Sequence, residues 1–101
     1  MTKLNLPCTK YKIAYSSTMK KDLKRAEKRG YDMKEIALAI FKLANDEPLE
    51  ERYSDHALEG NWSGHRELHI RPDWLLIYQK KEDILVLELA RTGTHSDLFK
   101  K

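Results

Sequence analysis

The spacing of apolar residues changes period once along the chain. Lys10–Tyr15 alternates, with Tyr11, Ile13 and Tyr15 set against Lys10, Lys12 and Ala14, which predicts a short half-buried strand. A helix follows. Ser16–Thr18 can cap its start, Met19, Leu23 and Ala26 recur at helical spacing, and Gly30 is placed to end it in a left-handed turn. Asp32 followed by Glu35 has the form of a capping box, and Met33, Ile36, Ala37, Ile40, Leu43 and Ala44 continue as a second amphipathic helix to about Asn45. Each apolar stripe needs a partner, so the two helices are expected to form an antiparallel hairpin. Residues 46–61 are mostly polar and read as a long loop. From Trp62 the period becomes two. Trp62–Ile70, Trp74–Gln79 and Ile84–Leu89 read as three strands of an antiparallel meander, the middle one apolar enough to be buried on both faces. Arg71-Pro72-Asp73 and Lys80–Asp83 supply the connections, Arg91–Thr94 is expected to break the last strand, and His95–Phe99 suffices for a terminal helical turn. The expected fold class is α+β in one domain, residues 1–101.

Composition narrows this picture. With 41% hydrophobic and 35% charged residues, the chain can build one modest core. No run approaches the eighteen apolar residues of a membrane span, and Met1–Cys8 lacks the pattern of a secretory signal, so a cytoplasmic protein is expected. Cys8 has no partner cysteine, which leaves a free thiol and neither a disulfide framework nor a cysteine zinc site. The net charge of +3 matters less than its placement. In KKDLKRAEKR, residues 20–29, basic pairs recur every four residues, so Lys20, Lys21, Lys24 and Arg25 begin a helical stripe roughly 13 Å long. Such a stripe suits a nucleic-acid backbone or simply a solvated helix face.

Histidines raise the question of a metal. His65 and His69 have the i, i+4 spacing that chelates zinc from a helix, but on a strand that spacing separates them by about 13 Å, so no metal site and no cofactor are expected. His65 then reads as a bystander near the sheet margin. His69, Asp73 and Trp74 flank one tight connection, while Arg91 and His95 bracket another break. Antiparallel pairing of the last two strands would bring Arg91 beside Asp73 and Trp74, with Phe99 close behind. These groups could simply stabilise the loops, Arg91 pairing with Asp73. They also suit metal-free RNA cleavage: imidazoles as acid and base, arginine on the phosphate, and an aromatic ring under an unpaired base. Ser54, Ser63 and Ser96 lie in no nucleophile elbow, and no Gly-rich phosphate loop is present.

Three blocks carry a resemblance. Asp55-His56-Ala57-Leu58-Glu59-Gly60-Asn61-Trp62, then Arg66–Trp74 with Leu76 and Tyr78, and finally Arg91–Phe99 resemble the YafQ branch of RelE/ParE-type toxins. The resemblance implies a RelE-like microbial RNase fold, with an N-terminal strand and two-helix hairpin packed on an antiparallel sheet and a short C-terminal helix. It further implies a type II toxin that cleaves messenger RNA in the ribosomal A site without a metal, leaving a 2′,3′-cyclic phosphate and a 5′-hydroxyl. Its partners would be a DinJ-like ribbon-helix-helix antitoxin and the 70S ribosome with its message. Carried over by motif, the functional positions are His56, His69, Asp73, Arg91 and His95, with Trp74 and Phe99 beside them. A leader of about ten residues and the Lys100–Lys101 extension depart from the family pattern. The alternative is a non-enzymatic basic module, or a gyrase poison on the same fold.

Overall fold

The computed structural model describes residues 8–99. Residues 1–7 of the leader and the Lys100–Lys101 extension lie outside them. The elements run β1 (Lys12–Tyr15), α1 (Ser17–Lys28), α2 (Met33–Ala44), β2 (His56–Ala57), β3 (Arg66–Arg71), β4 (Trp74–Lys81), β5 (Val86–Gly93) and α3 (His95–Leu98). Ser16 caps α1 by accepting from the Met19 N–H at 2.9 Å. Gly30 ends the helix at φ 81°, where a side chain would be strained. Asp32 caps α2 by accepting from the Lys34 N–H at 3.0 Å. Glu35 does not close the expected capping box, because its carboxylate turns instead to the Arg71 guanidinium, 2.7 Å from Nε.

The α+β reading holds, and the sheet is larger than the meander. Among the described residues it has five strands in the order β1-β5-β4-β3-β2. β3, β4 and β5 are antiparallel as expected, β1 lies parallel to β5, and β2 joins the far edge antiparallel to β3. The parallel pairing requires α1 and α2 to cross over one face of the sheet. β4 is central, and Trp74 through Tyr78 are all buried. Fully burying each of Leu75, Leu76 and Ile77 contributes about 1.5–3 kcal/mol.

Four boundaries differ from the sequence reading. Residues 46–61 are not a plain loop, since they hold 3-10 turns at Glu51–Tyr53 and Gly60–Trp62 and the strand β2. A two-residue strand is too short to show alternation. Trp62 therefore precedes the third strand, which starts at Arg66. Ile84 and Leu85 belong to the β4–β5 turn, with Leu85 at φ 53° and both exposed. Arg91–Gly93 continue β5 rather than breaking it.

Candidate active site

Directly opposed residues of paired strands share a face. The register sets His56, Glu67, Ile77 and Arg91 in one row across β2, β3, β4 and β5, and His69, Leu75 and Gly93 in the next. Leu68, Leu76, Tyr78 and Leu89 belong to the main core with the helices. The two rows therefore occupy the opposite, open face. Its floor is a second apolar cluster of Leu75, Ile77 and Leu98, with Leu58, Trp62, Ala90 and Phe99 packed around it. The register shift between Ile77 and Tyr78 makes Ala90 the extra residue of a bulge. Without that bulge Arg91 would share a face with Leu89, so one inserted residue turns the arginine to the open face.

Three imidazoles line this face. The ring centroids of His56 and His69 lie 5.9 Å apart, those of His69 and His95 6.0 Å, and those of His95 and Phe99 6.5 Å. Glu67, 5% exposed, places Oε1 3.2 Å from His56 Nε2 and 3.7 Å from His69 Nε2. His56 Nδ1 lies 2.8 Å from the Ser54 carbonyl, which can only accept. Nδ1 is therefore the donor to that carbonyl, and Nε2 faces the Glu67 carboxylate. His69 Nδ1 is buried without a hydrogen-bond partner among the described residues, so the ring can exchange a proton with a ligand only through Nε2, which lies on the Glu67 side.

His95 is held from the other side. Asp73 Oδ1 accepts its backbone N–H at 2.9 Å and lies 2.6 Å from Nδ1. Nδ1 is thus the donor and Nε2 is free to exchange a proton with a ligand. These two bonds hold the Asp73 carboxyl below the usual carboxylate range, the backbone N–H being the larger cause. Asp73 is consequently anionic at neutral pH. His56 is set by a parallel network: Asp55 beside it accepts from the Tyr78 hydroxyl at 2.5 Å and from Arg66 Nη2 at 3.1 Å.

Arg91 does not pair with Asp73. Because β5 extends to Gly93, Arg91 sits opposite Ile77, and its guanidinium meets Asp22 of α1 through Nε and Nη2, both at 3.0 Å. Asp97 closes a capping box with Thr94 at the start of α3 and takes Arg29 Nη1 at 2.7 Å, with Arg25 at 3.6 Å. The Arg29 guanidinium is the main reason that its carboxyl lies well below the usual range.

The structure thus brings His56, His69, Asp73, His95 and Phe99 together, with Arg91 at the far end of the same face. Two expected ligand-binding residues are elsewhere. Trp74 is 4% exposed in the main core, its indole N–H donating to the Thr92 hydroxyl at 3.0 Å and its ring meeting Tyr31 edge-on, so it packs rather than faces the histidines. Arg25 is drawn onto Asp22 and Asp97. Lys20, Lys21 and Lys24 are exposed on α1 as expected. Glu67, Asp22 and Asp97 escaped the sequence reading. The signal for Asp22 was present: it is an acid inside a basic run, three residues after Met19 and four before Ala26, hence on the buried flank of α1.

Among the described residues one cluster could hold a metal. His56, Glu67 and His69 offer one donor atom each within 4.8 Å of one another, so His69 finds its partner across the sheet rather than at His65. His65 instead packs its ring against Trp62.

Comparison with known proteins follows the same lines. Residues 11–100 match the family described as the bacterial toxin of type II toxin-antitoxin systems, YafQ. The mRNA interferase toxin YafQ of Escherichia coli (strain K12) is 44% identical over 88 residues, 86% of this chain and 94% of that protein. In the crystal structure of the E. coli DinJ-YafQ toxin-antitoxin complex, the similar chain is 42% identical with a TM-score of 0.80, over 89% of this chain and 98% of its own length. A metal-bound toxin from Helicobacter pylori is 42% identical with a TM-score of 0.83, over 88% and 99%.

Proposed function

This chain belongs to the YafQ family of type II toxins, and from that premise we propose that it is an mRNA interferase, an endoribonuclease acting at the open-face histidines. The observation that carries the reading is the row of three imidazoles with its outer members fixed by carboxylates, Glu67 at one end and Asp73 at the other. Cleavage by the ribose 2′-hydroxyl needs a base on one side of the phosphorus and an acid on the other. Asp73 is occupied by His95, so the base is His69, which takes the 2′-hydroxyl proton as that oxygen attacks phosphorus. His95, oriented by Asp73, gives its Nε2 proton to the departing 5′-oxygen. The products are a 2′,3′-cyclic phosphate and a 5′-hydroxyl. His56 with Glu67 restores protons between turnovers, Arg91 stabilises the charge on the phosphorane, and Phe99 offers a ring on which a base can stack.

The exposed Lys20, Lys21 and Lys24 hold the chain on ribosomal RNA, so the substrate is message in the A site of the 70S ribosome. The chain acts in the cytoplasm as one toxin domain. No helix among the described residues is long and apolar enough to cross a membrane. Its silencing partner is a DinJ-like ribbon-helix-helix antitoxin, supported by the E. coli DinJ-YafQ complex. The test is expression without antitoxin followed by mapping of message ends. Cyclic-phosphate ends that disappear in His95→Ala are expected. Growth arrest with intact messages would instead mark a poison of another target.

The cluster His56, Glu67 and His69 favours a second reading at the same place, since a divalent ion held there would tie up two of the imidazoles. The solved metal-bound relative from H. pylori is in keeping with this. Added Cu²⁺ or Zn²⁺ should suppress cleavage and a chelator restore it, whereas stimulation by the ion would assign the cluster to catalysis.

A further inference from the structure

Asp22 is 3% exposed, and a buried carboxylate is costly unless its oxygens are filled by donors. Four fill them. Arg91 Nε and Nη2 lie at 3.0 Å from Oδ2 and Oδ1, the Thr92 N–H lies 3.1 Å from Oδ2, and Arg25 Nη2 lies 3.1 Å from Oδ1. Three of these bonds come from two consecutive residues of β5. The carboxylate therefore holds both the guanidinium of Arg91 and the backbone immediately after it. We propose that Asp22 is a positioning residue for RNA cleavage, fixing the Arg91 guanidinium in the plane in which it meets the reacting phosphate. The inference rests on the role given to Arg91 above.

A guanidinium carries five N–H donors, and the fork on Asp22 uses two of them. Three remain for a phosphate, and their directions are set because the group is planar and doubly held. Arg91 is one-quarter exposed, enough for a ligand to reach it without breaking the fork. The Ala90 bulge brings the arginine to the open face, and Asp22 removes the freedom of its long side chain. Arg25 supplies a second cation, so the pair of charges on β5 and α1 does not leave a net negative pocket competing with the phosphate.

The experiment is a double-mutant cycle on cleavage of ribosome-bound message, read beside the side-chain N–H signals of arginine in NMR. Asp22→Asn keeps the shape and an acceptor for the Thr92 N–H but loses the charged fork. It is expected to lower kcat by about tenfold to a hundredfold, with KM little changed, as misplacement of one catalytic group does. In an Arg91→Ala background the same substitution is expected to cost nothing further. The Arg91 Nε–H signal, assigned by its loss in Arg91→Ala, should be separate in the unaltered protein and collapse into the solvent-exposed arginine envelope in Asp22→Asn, with the backbone spectrum retained. If Asp22→Asn does not fold, Asp22→Glu reads the same quantities with the carboxylate displaced by one methylene. An equal loss with and without Arg91, or an unmoved Arg91 signal, overturns the proposal. If Arg91→Ala leaves cleavage intact while His95→Ala abolishes it, the phosphate role of Arg91 fails and this inference with it. If His95→Ala is also silent, the failure lies in the proposed reaction, and the Arg91 signal alone decides whether Asp22 positions the side chain.

Discussion

Removal of one oxygen atom from Tyr78 tests how the His56 end of the site is held. Tyr78 is buried at 2% exposure in the central strand, and its hydroxyl donates to Asp55 at 2.5 Å. Burial, with the Asp55 carboxylate next, pushes the phenol up, so the hydroxyl keeps its proton across any accessible pH. Tyr78→Phe deletes that bond and leaves no orphan. Asp55 retains Arg66, with Nη2 at 3.1 Å and Nε at 3.3 Å, and is partly open to water. A hydrogen bond to a charged acceptor contributes about 1.5–3 kcal/mol, and the surviving arginine puts the expected cost at the lower end, about 1–2 kcal/mol. For a domain of this size, at about 4–8 °C for each kcal/mol, that corresponds to a fall in Tm of about 4–16 °C. Urea unfolding should show a lower midpoint at unchanged slope. Cleavage should also weaken, since Asp55 adjoins His56 and Ser54, whose carbonyl orients the imidazole. An unchanged Tm would show that the contact holds nothing. A loss beyond about 4 kcal/mol would show that Arg66 fails to compensate Asp55 and that the carboxylate is left as an unpaired buried charge.

Reversing Lys20, Lys21 and Lys24 together to glutamate should weaken ribosome binding and reduce its salt dependence while leaving Tm nearly unchanged, because all three are exposed; binding unaltered in moderate salt would refute the contact. Arg25 is omitted from that set, as a glutamate there would face Asp22 and Asp97. Asp97→Asn carries a pH signature. The folded-state pKa of Asp97 is depressed, so its contribution is complete above the unfolded value of about 3.9 and is lost as pH falls through the lower folded value. The gap in Tm between the two proteins should thus be constant from neutral pH down to about pH 4 and shrink below it; a gap independent of pH down to pH 2 would remove Arg29–Asp97 as its source.

Much of this molecule is decided locally. The capping by Ser16 and Asp32, the left-handed Gly30, the apolar faces of α1 and α2 and the doubly buried β4 follow from period and cap chemistry. These depend on residues a few positions apart, so the sequence alone determines them, together with a five-member set of polar residues whose spacing already resembled a family of toxins. Partnership is different. His69 has its neighbour not at His65 but at His56, because a two-residue strand too short to leave a pattern pairs with β3. Arg91 points to the open face through one bulged residue and is held by an aspartate 69 positions away. Trp74, adjacent to the site in sequence, is inside the core because neighbouring strand positions face opposite sides of the sheet. Elements arise from local periodicity, whereas the site depends on strand register, and register is set only when the whole sheet closes around its core.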